Sequence, residues 1–444
     1  MIVLTQTKIL QAKSRIFIST LYVGKEEREL VWYLGRALAR RPELQLTVLM
    51  DAMRATRETL PEISGASLFA PLAAMFPNQV DIRLYATPML RPNSFASKML
   101  GKRFNEGFGL QHMKIYGFDD DVIISGANLS RDYFMRRKDR YMVIREHGLL
   151  SDYLHSLILL VCRFSYDLQY AGDMKQVAYM RTHYDEIDDA SQEMAQLCRN
   201  PFSLVWDGGR NLLGAEDADG TVAFMGITSS SKSFPERNWA PLATSAVQDF
   251  TTRWYERTRD LALAPRRHQP PQDTNTYMVP LLQMGQLKIN QETDMIPYMT
   301  QFLAAMKLRA PSVNARLYST VDLTSGYFGL SGLYKSLILS DVLHKERPGH
   351  APVSFRLVAA APESNGFFGS KGISRRIPAA YTQLEKEFWD EVVQRNLHIP
   401  LFENFSEDTL FADESEKFVP RVELREWRKY CLLYTSDAAD EGLG

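Results

Sequence analysis

One segment concentrates the residue types that do chemistry. It reads Gln111-His-Met-Lys-Ile-Tyr-Gly-Phe-Asp-Asp-Asp-Val-Ile-Ile-Ser-Gly-Ala-Asn-Leu-Ser130. On a strand over His112–Tyr116, residues two apart share a face. His112 and Lys114 then project together, while Met113 and Ile115 turn into a core. Asp119 falls in the following turn, and Val122–Ser125 returns as the second strand of a hairpin around Asp119-Asp120-Asp121. Gly126, Ala127 and Asn128 close the segment with small side chains and one amide. An imidazole beside an ammonium, next to a loop that lets backbone approach closely, suits a phosphoryl group. Lysine supplies charge to the non-bridging oxygens. Histidine attacks phosphorus or shuttles a proton near neutral pH. Asn128 can donate hydrogen bonds to the same oxygens.

An H-x-K triplet on a strand is common by chance. The longer pattern H-x-K-x₄-D-x₆-G-A-N fixes six residue types at set spacing. Of the eight histidines, at 112, 147, 155, 183, 268, 344, 350 and 398, only His112 opens such a triplet. The three cysteines form no C-x-x-C, so neither a zinc spacing nor a disulfide framework is present, and a reducing compartment fits. With 52 Lys+Arg against 53 Asp+Glu, the net charge of −1 argues against a globally basic nucleic-acid binder, although a local basic cleft stays open. At 45% hydrophobic and 24% charged, the 444-residue chain is not a disordered one.

The elements that must position these residues follow an α/β order. The first residues read as an amphipathic helix. Arg15–Val23 is a β-rich run closed by Gly24, and Glu26–Arg40 is helical, with Leu30, Val31, Leu34 and Leu38 on one stripe. Leu44–Met50 and Val80–Tyr85 are further strands. A similar order returns about 300 residues later: a helix at Ile296–Lys307, a strand at Val313–Thr320, a helix around Leu333–Leu343, a strand at Val353–Ala359, a helix over Ala379–Val393 and a polar strand at Val422–Trp427. This is a weak internal pseudo-duplication. Between the two lies a connecting region with a hairpin around Trp206–Gly226 and the breaker-rich Pro265–Gln272. The expected division is 1–200, 201–276, 277–430 and a tail at 431–444. The longest apolar run, near Leu157–Cys162, is too short to span a bilayer. The first residues lack the features of a signal peptide, so the protein is cytosolic or a targeting segment lies upstream.

The segment around His112 resembles the HKD motif of the phospholipase D superfamily. More narrowly, the chain resembles the eukaryotic phosphatidylglycerophosphate synthase family, the CDP-diacylglycerol–glycerol-3-phosphate 3-phosphatidyltransferases. The resemblance extends over Ser19–Gly24, Arg103–Glu106, Gly109–Lys114, Ser125–Ser130, Asp139–Tyr141, Ser325–Phe328, Asn365–Gly369 and Ile377–Tyr381. It implies two pseudo-duplicated α/β sheet halves packed face to face, with the second incomplete at its C-terminal end. It implies attack of His112 on the diacylglycerol-side phosphorus of CDP-diacylglycerol, release of CMP from a phosphatidyl-histidine, and transfer to glycerol 3-phosphate. Lys114 and Asn128 would hold the phosphoryl oxygens, Gly126 would line the substrate, and Asp119 would be a supporting carboxylate that orients the site. No metal or cofactor is implied. The implied setting is the matrix side of the mitochondrial inner membrane, touched peripherally, with no nucleic-acid partner.

Such enzymes use one HKD motif from each half, the partner histidine serving as acid and then base. This sequence has no second H-x-K. The resemblance runs to Lys429-Tyr430, after which Cys431–Gly444 matches neither the family nor a catalytic strand and resembles translated adapter read-through. The expectation is a record that stops before its second motif, and a 444-residue polypeptide that is weak or inactive. Rival readings are a phosphodiesterase or nuclease of the same superfamily and a non-catalytic membrane-surface fragment. Asp51, Arg54 and Arg57 either bind substrate phosphates or begin a solvated helix. Arg136-Arg-Lys-Asp-Arg140 either steers an anionic substrate or is a solvated loop. Asn365–Lys371 lacks P-loop spacing, and its aromatics either touch lipid or pack within the loop. Cys162 and Cys198 read as core or helix-surface thiols.

Overall fold

The protein is seen in a computed structural model that describes residues 2–58, 61–87, 109–135, 139–186, 192–205, 239–263, 278–306, 319–343, 353–365, 367–370, 372–398 and 421–427. The predicted hairpin after Trp206, the Pro265–Gln272 stretch, most of the predicted strand at 313–320, Arg103–Glu106 and the tail lie outside these residues, as do His268, His344 and His350. The chain forms two units: Met1–Pro280 with Met284–Ile289, and Leu281–Gln283 with Asn290–Gly444.

Unit 1 is built on an eight-stranded mixed sheet. Its strands are β1 (Arg15–Ser19), β2 (Gln45–Asp51), β3 (Val80–Tyr85), β4 (Ile115–Phe118), β5 (Asp121–Ser125), β6 (Tyr141–Ile144), β7 (Tyr166–Tyr170) and β8 (Phe202–Val205). They lie in the order β6-β5-β4-β1-β2-β3-β7-β8. β1, β2 and β3 are parallel. β4 runs antiparallel to β1 and pairs Ser19 with Ile115 and Ile16 with Phe118. The sheet therefore changes direction at β1. Ile16, Phe17 and Ile18 of β1 are all buried, as are Leu46, Val48, Leu49 and Met50 of β2. Parallel strands covered on both faces read as such apolar runs, and each large side chain so buried contributes about 1.5–3 kcal/mol.

The helices of unit 1 are α1 (Ile2–Gln11), α2 (Arg28–Arg40), α3 (Ala52–Ala55), α4 (Gly65–Met75), α5 (Arg131–Met135), α6 (Gly148–Cys162), α7 (Met174–Thr182), α8 (Gln192–Leu197) and α9 (Trp239–Leu263). α2 buries Leu30, Val31, Leu34, Ala37 and Leu38, the stripe its sequence spacing predicts. α4 starts in a reciprocal Ser64–Ser67 capping box. α6 lies on β1–β5 with Leu150, Leu154, Leu157, Ile158 and Val161 buried.

Of the expected connecting region, 201–276, the described residues pair β8 with β7 and pack α9 on α6. Tyr153 of α6 holds α9 by ring contacts of 5.3 Å to both Phe250 and Trp254. These are tertiary contacts that no local pattern announces.

Gly117 shows how tightly β4 joins β1. It pairs with Phe17, and a Cβ there would lie 1.9 Å from the Phe17 ring. On its other side Phe17 stacks on His155 at 5.0 Å. Burial, aided by the charge of Arg15, pushes the His155 pKa down to about 4, so the stack is between neutral rings. Gly117→Ala is expected to lower the denaturant midpoint by the equivalent of at least 1–3 kcal/mol, roughly the range for overpacked cores.

Unit 2 contains a parallel sheet of β9 (Ser319–Ser325), β10 (Val353–Ala360) and β11 (Val422–Trp427) in that order. α10 (Gln291–Met306) precedes it, and α11 (Gly332–Leu343) and α12 (Ile377–Gln394) connect its strands. Phe328, Leu339, Phe355, Leu357, Phe388 and Val392 form its core. Each unit thus begins with three parallel strands joined by helices. The loop after β10 leaves Phe368 61% exposed, while the Asn365 carboxamide is buried and accepts from Phe367 N at 3.0 Å.

Candidate active site

The site lies at the carboxyl ends of β1, β2 and β3, where the sheet changes direction. In open α/β sheets this is where strand ends leave a crevice. Because β4 is antiparallel, its beginning reaches the same edge, and so does the end of β5.

The strand carrying His112 begins later than the sequence suggests. β4 starts at Ile115, and Gln111–Lys114 lead into it as irregular backbone. The physical cause is the end of β1. Ser19 is its last residue and already pairs with Ile115, so His112 and Lys114 have no ladder partner. Other bonds hold them instead. Gln111 N donates to the Asp51 carboxylate at 3.1 Å, the Gln111 carboxamide donates to Ser19 Oγ, and Ser19 Oγ donates to Met113 O at 3.3 Å. Ser125 N reaches Lys114 O at 3.3 Å and ties β5 to the same point.

His112 and Lys114 nevertheless meet. His112 is exposed and Lys114 is buried. Lys114 Nζ lies 3.1 Å from Nδ1 and 3.3 Å from Nε2 of His112, and it donates to His112 O at 3.2 Å. A buried ammonium needs such acceptors. The result is an exposed imidazole with a buried ammonium directly beside it.

Asn128 and Gly126 shape the adjoining loop. Asn128 is fully buried; Thr20 Oγ1 donates to its Oδ1 at 3.3 Å, and its Nδ2 lies 3.5 Å from the Tyr133 hydroxyl. Ala127 O accepts from the Tyr116 hydroxyl at 2.5 Å. Gly126 is the exposed member, and a Cβ there would stand 3.2 Å from the Asp139 carboxylate. Arg140 O accepts from Ser125 Oγ at 3.0 Å, so the Asp139-Arg140 end of the basic run lies beside Gly126.

Asp119 is elsewhere. It occupies the β4–β5 turn at φ 52°, at the opposite end of β4 from His112. The four residues of β4 alone span roughly 13 Å at about 3.3 Å each, and Met113 and Lys114 intervene as well. Its carboxylate accepts from Lys13 N at 2.8 Å, Ser14 N at 2.8 Å, Ser14 Oγ at 2.8 Å and Arg15 N at 3.1 Å. The expected site carboxylate therefore clamps the start of β1 and acts on His112 only through the β1–β4 pair. Partial burial raises its pKa, but the donors from Ser14, Lys13 and Arg15 outweigh this and hold it below the usual carboxylate range. With a depressed folded value, the stabilisation is present above the unfolded pKa and lost as pH falls through the folded one. Asp119→Asn keeps the positive-φ tolerance. It is expected to cost about 1–2 kcal/mol near neutral pH after solvent screening, a difference that closes on acidification in melts below the usual carboxylate pKa, with less than tenfold loss of turnover.

Several residues at this edge were not expected. Asp51, which sequence alone left between phosphate binding and a helix start, caps α3 through Met53 N at 3.0 Å and Arg54 N at 3.1 Å while also fixing Gln111. Arg54 is buried over the Tyr22 ring at 4.9 Å. Burial, with the Asp51 charge, pushes the Tyr85 phenol far up, and its hydroxyl donates to Gln286 Oε1 at 2.6 Å. Glu27 accepts from Arg131 N and joins the turn after β1 to the loop after Asn128. Burial pushes its pKa up to about 7 against the pull of that N–H. The Ser19-Thr20 pair at a strand end was the one legible signal for this group. Cys162 and Cys198 are buried.

Among the described residues no group of three or more His, Cys, Asp or Glu side chains could hold a metal ion. No helix among them is long and apolar enough to cross a membrane.

No family model matches the chain. Curated proteins do. A Saccharomyces cerevisiae CDP-diacylglycerol–glycerol-3-phosphate 3-phosphatidyltransferase is 32% identical over 391 residues, 88% of this chain and 62% of that protein. The enzyme of the same name from Schizosaccharomyces pombe is 31% identical over 405 residues, 89% of this chain and 72% of its own length. The chain belongs to this phosphatidyltransferase family. A human member, named as mitochondrial, is 31% identical and is covered over 60% of its length. This member of the family thus spans between 60% and 72% of these relatives. Among solved structures, a phosphatidylserine synthase from Haemophilus influenzae aligns with 89% of this chain and 68% of its own at 15% identity and a TM-score of 0.47.

Proposed function

We propose that the chain transfers a phosphatidyl group from CDP-diacylglycerol to glycerol 3-phosphate in two displacements at His112. A ring nitrogen of His112 bonds to the diacylglycerol-side phosphorus as the bond from phosphorus to the CMP oxygen breaks. CMP leaves with the electron pair of that bond. The hydroxyl of glycerol 3-phosphate then attacks the same phosphorus and passes its proton to solvent at the exposed edge, while the nitrogen–phosphorus bond breaks and its electron pair returns to the His112 ring. Lys114 balances charge on the non-bridging oxygens in both steps, and Gly126 lets those oxygens approach the loop. Asn128 sets the loop's shape beneath them. Asp119 acts from a distance by fixing β1 against β4.

The observation that carries this reading is the contact of Lys114 Nζ with both nitrogens of an exposed His112 at the point where the sheet changes direction. Membership of the phosphatidyltransferase family supplies the substrates. The two units, each with a parallel β-α-β-α-β start, support the reading as pseudo-duplicated halves. A lipid donor implies peripheral contact with a membrane, and the names of the vertebrate relatives support the mitochondrion; the matrix face of the inner membrane is the part of this reading that rests on the proposed reaction alone.

The test is CMP release from CDP-diacylglycerol by the 444-residue chain. Slow release that depends on glycerol 3-phosphate, with phosphatidylglycerophosphate as product, is the expected result for a chain with one H-x-K triplet. Equal release without glycerol 3-phosphate, giving phosphatidic acid, would replace transfer by hydrolysis.

A further inference from the structure

The outer side of α6 and the facing side of α9 form an open cavity of about 370 Å³ within unit 1. Arg163 from the end of α6 and Arg253 and Arg257 from α9 line it, together with Phe250, Trp254 and Leu159. No Asp or Glu belongs to its lining among the described residues. Asp152 lies 3.7 Å from Arg257 but also 2.8 Å from Arg15, so its one charge is shared between two guanidiniums. Arg257 lies over the Trp254 ring at 4.7 Å, which fixes the guanidinium plane on an aromatic floor. Arg253 Nε donates to Asp249 O at 3.3 Å, using one of its five donors.

Three guanidiniums around an apolar floor suit a phosphate that carries an apolar body. Guanidinium forks match phosphate oxygens in pairs. Tryptophan and the aliphatic arms of arginine sit well where one side is wet and the other apolar. Leu159 is 39% exposed, an apolar group on the same lining as the arginines. A soluble phosphate ester would use the arginines and leave this apolar lining idle.

We propose that the α6–α9 cavity binds the headgroup phosphate of an anionic glycerophospholipid and seats unit 1 on a negatively charged bilayer. The orientation is informative. α6 ends next to Phe164, which contacts Tyr85 at 6.2 Å at the carboxyl end of β3. The Arg163 end of the cavity thus points to the sheet edge that carries His112. Lipid bound there would hold the reaction edge near the surface without entering it.

The test does not depend on phosphatidyl transfer, because it uses neither CDP-diacylglycerol nor turnover. The full chain is sedimented with vesicles of phosphatidylcholine alone and of phosphatidylcholine with added phosphatidylglycerol. The parent should bind only the second. At roughly 1 kcal/mol per basic residue near an anionic surface, the Arg253→Gln/Arg257→Gln pair should weaken binding about 25-fold. The single Arg253→Glu variant, on an exposed helix position, serves if the pair folds poorly. Arg356→Gln/Arg395→Gln, the same charge loss in unit 2, should leave binding within about twofold, since those residues meet only local carboxylates. Equal loss in both pairs would overturn the site in favour of diffuse charge. Full displacement of the parent from vesicles by millimolar glycerophosphoglycerol or inorganic phosphate would assign the cavity to a soluble ester and overturn the lipid.

Discussion

His112→Ala is expected to reduce CMP release from CDP-diacylglycerol by on the order of 10⁴-fold or more, because the proposed nucleophile is gone. The fold should survive. His112 is exposed and lies outside the ladder of β4, and surface substitutions of that kind stay within about 0.5 kcal/mol. The sharper readout is the intermediate. Quenching the parent in base after mixing with donor labelled in its diacylglycerol moiety should leave one acid-labile label on the peptide containing His112. The variant should leave none. A variant that keeps turnover within tenfold of the parent would remove His112 from the nucleophilic role.

Lys114→Met is the second large effect. Removing one preorganised charge aimed at developing negative oxygens typically costs about 10²–10³ in turnover. Affinity for the donor should change far less, since the charge is used most in the transition state. Lys114→Arg should not restore the rate. The buried site holds a compact ammonium within 3.3 Å of both ring nitrogens and of His112 O, and a planar fork cannot meet all three. Label on His112 should still form in Lys114→Met, more slowly. Loss confined to substrate affinity, with turnover unchanged, would reassign Lys114 to binding alone.

Much of this arrangement was legible in the sequence. Val80–Tyr85 and Val422–Trp427 were read as strands at the bounds the structure gives, because alternation and flanking breakers settle such runs locally. The His112–Lys114 pair was legible as two like-facing positions, and it survives although neither residue is in β4. Asp119 was legible as a turn residue after the strand, which is where it lies. Its contacts were not legible, because its partners Lys13, Ser14 and Arg15 lie more than a hundred residues away in the chain. Asp51, Glu27 and Gln286 were invisible as a group for the same reason. Each is fixed by a bond to a distant segment, which no window of sequence contains. The packing of α9 on α6 through Tyr153 belongs to this class too.

The pairing of β1 with β4 has a consequence for synthesis. β1 is made first, yet its second neighbour starts about a hundred residues later in the chain. Parallel β1, β2 and β3 can assemble while the ribosome is still working, with α2 and α4 as their crossovers. Until residue 118 has emerged, β1 remains an open strand edge of Ile, Phe and Ile, the kind of surface that recruits foreign strands. The candidate site is then completed by the insertion that closes this edge, since His112 and Lys114 arrive on the segment that leads into β4. A nascent chain stalled before that point has an aggregation-prone edge and lacks the His112–Lys114 pair. In the cell, the formation of the candidate site and the covering of the β1 edge are the same event.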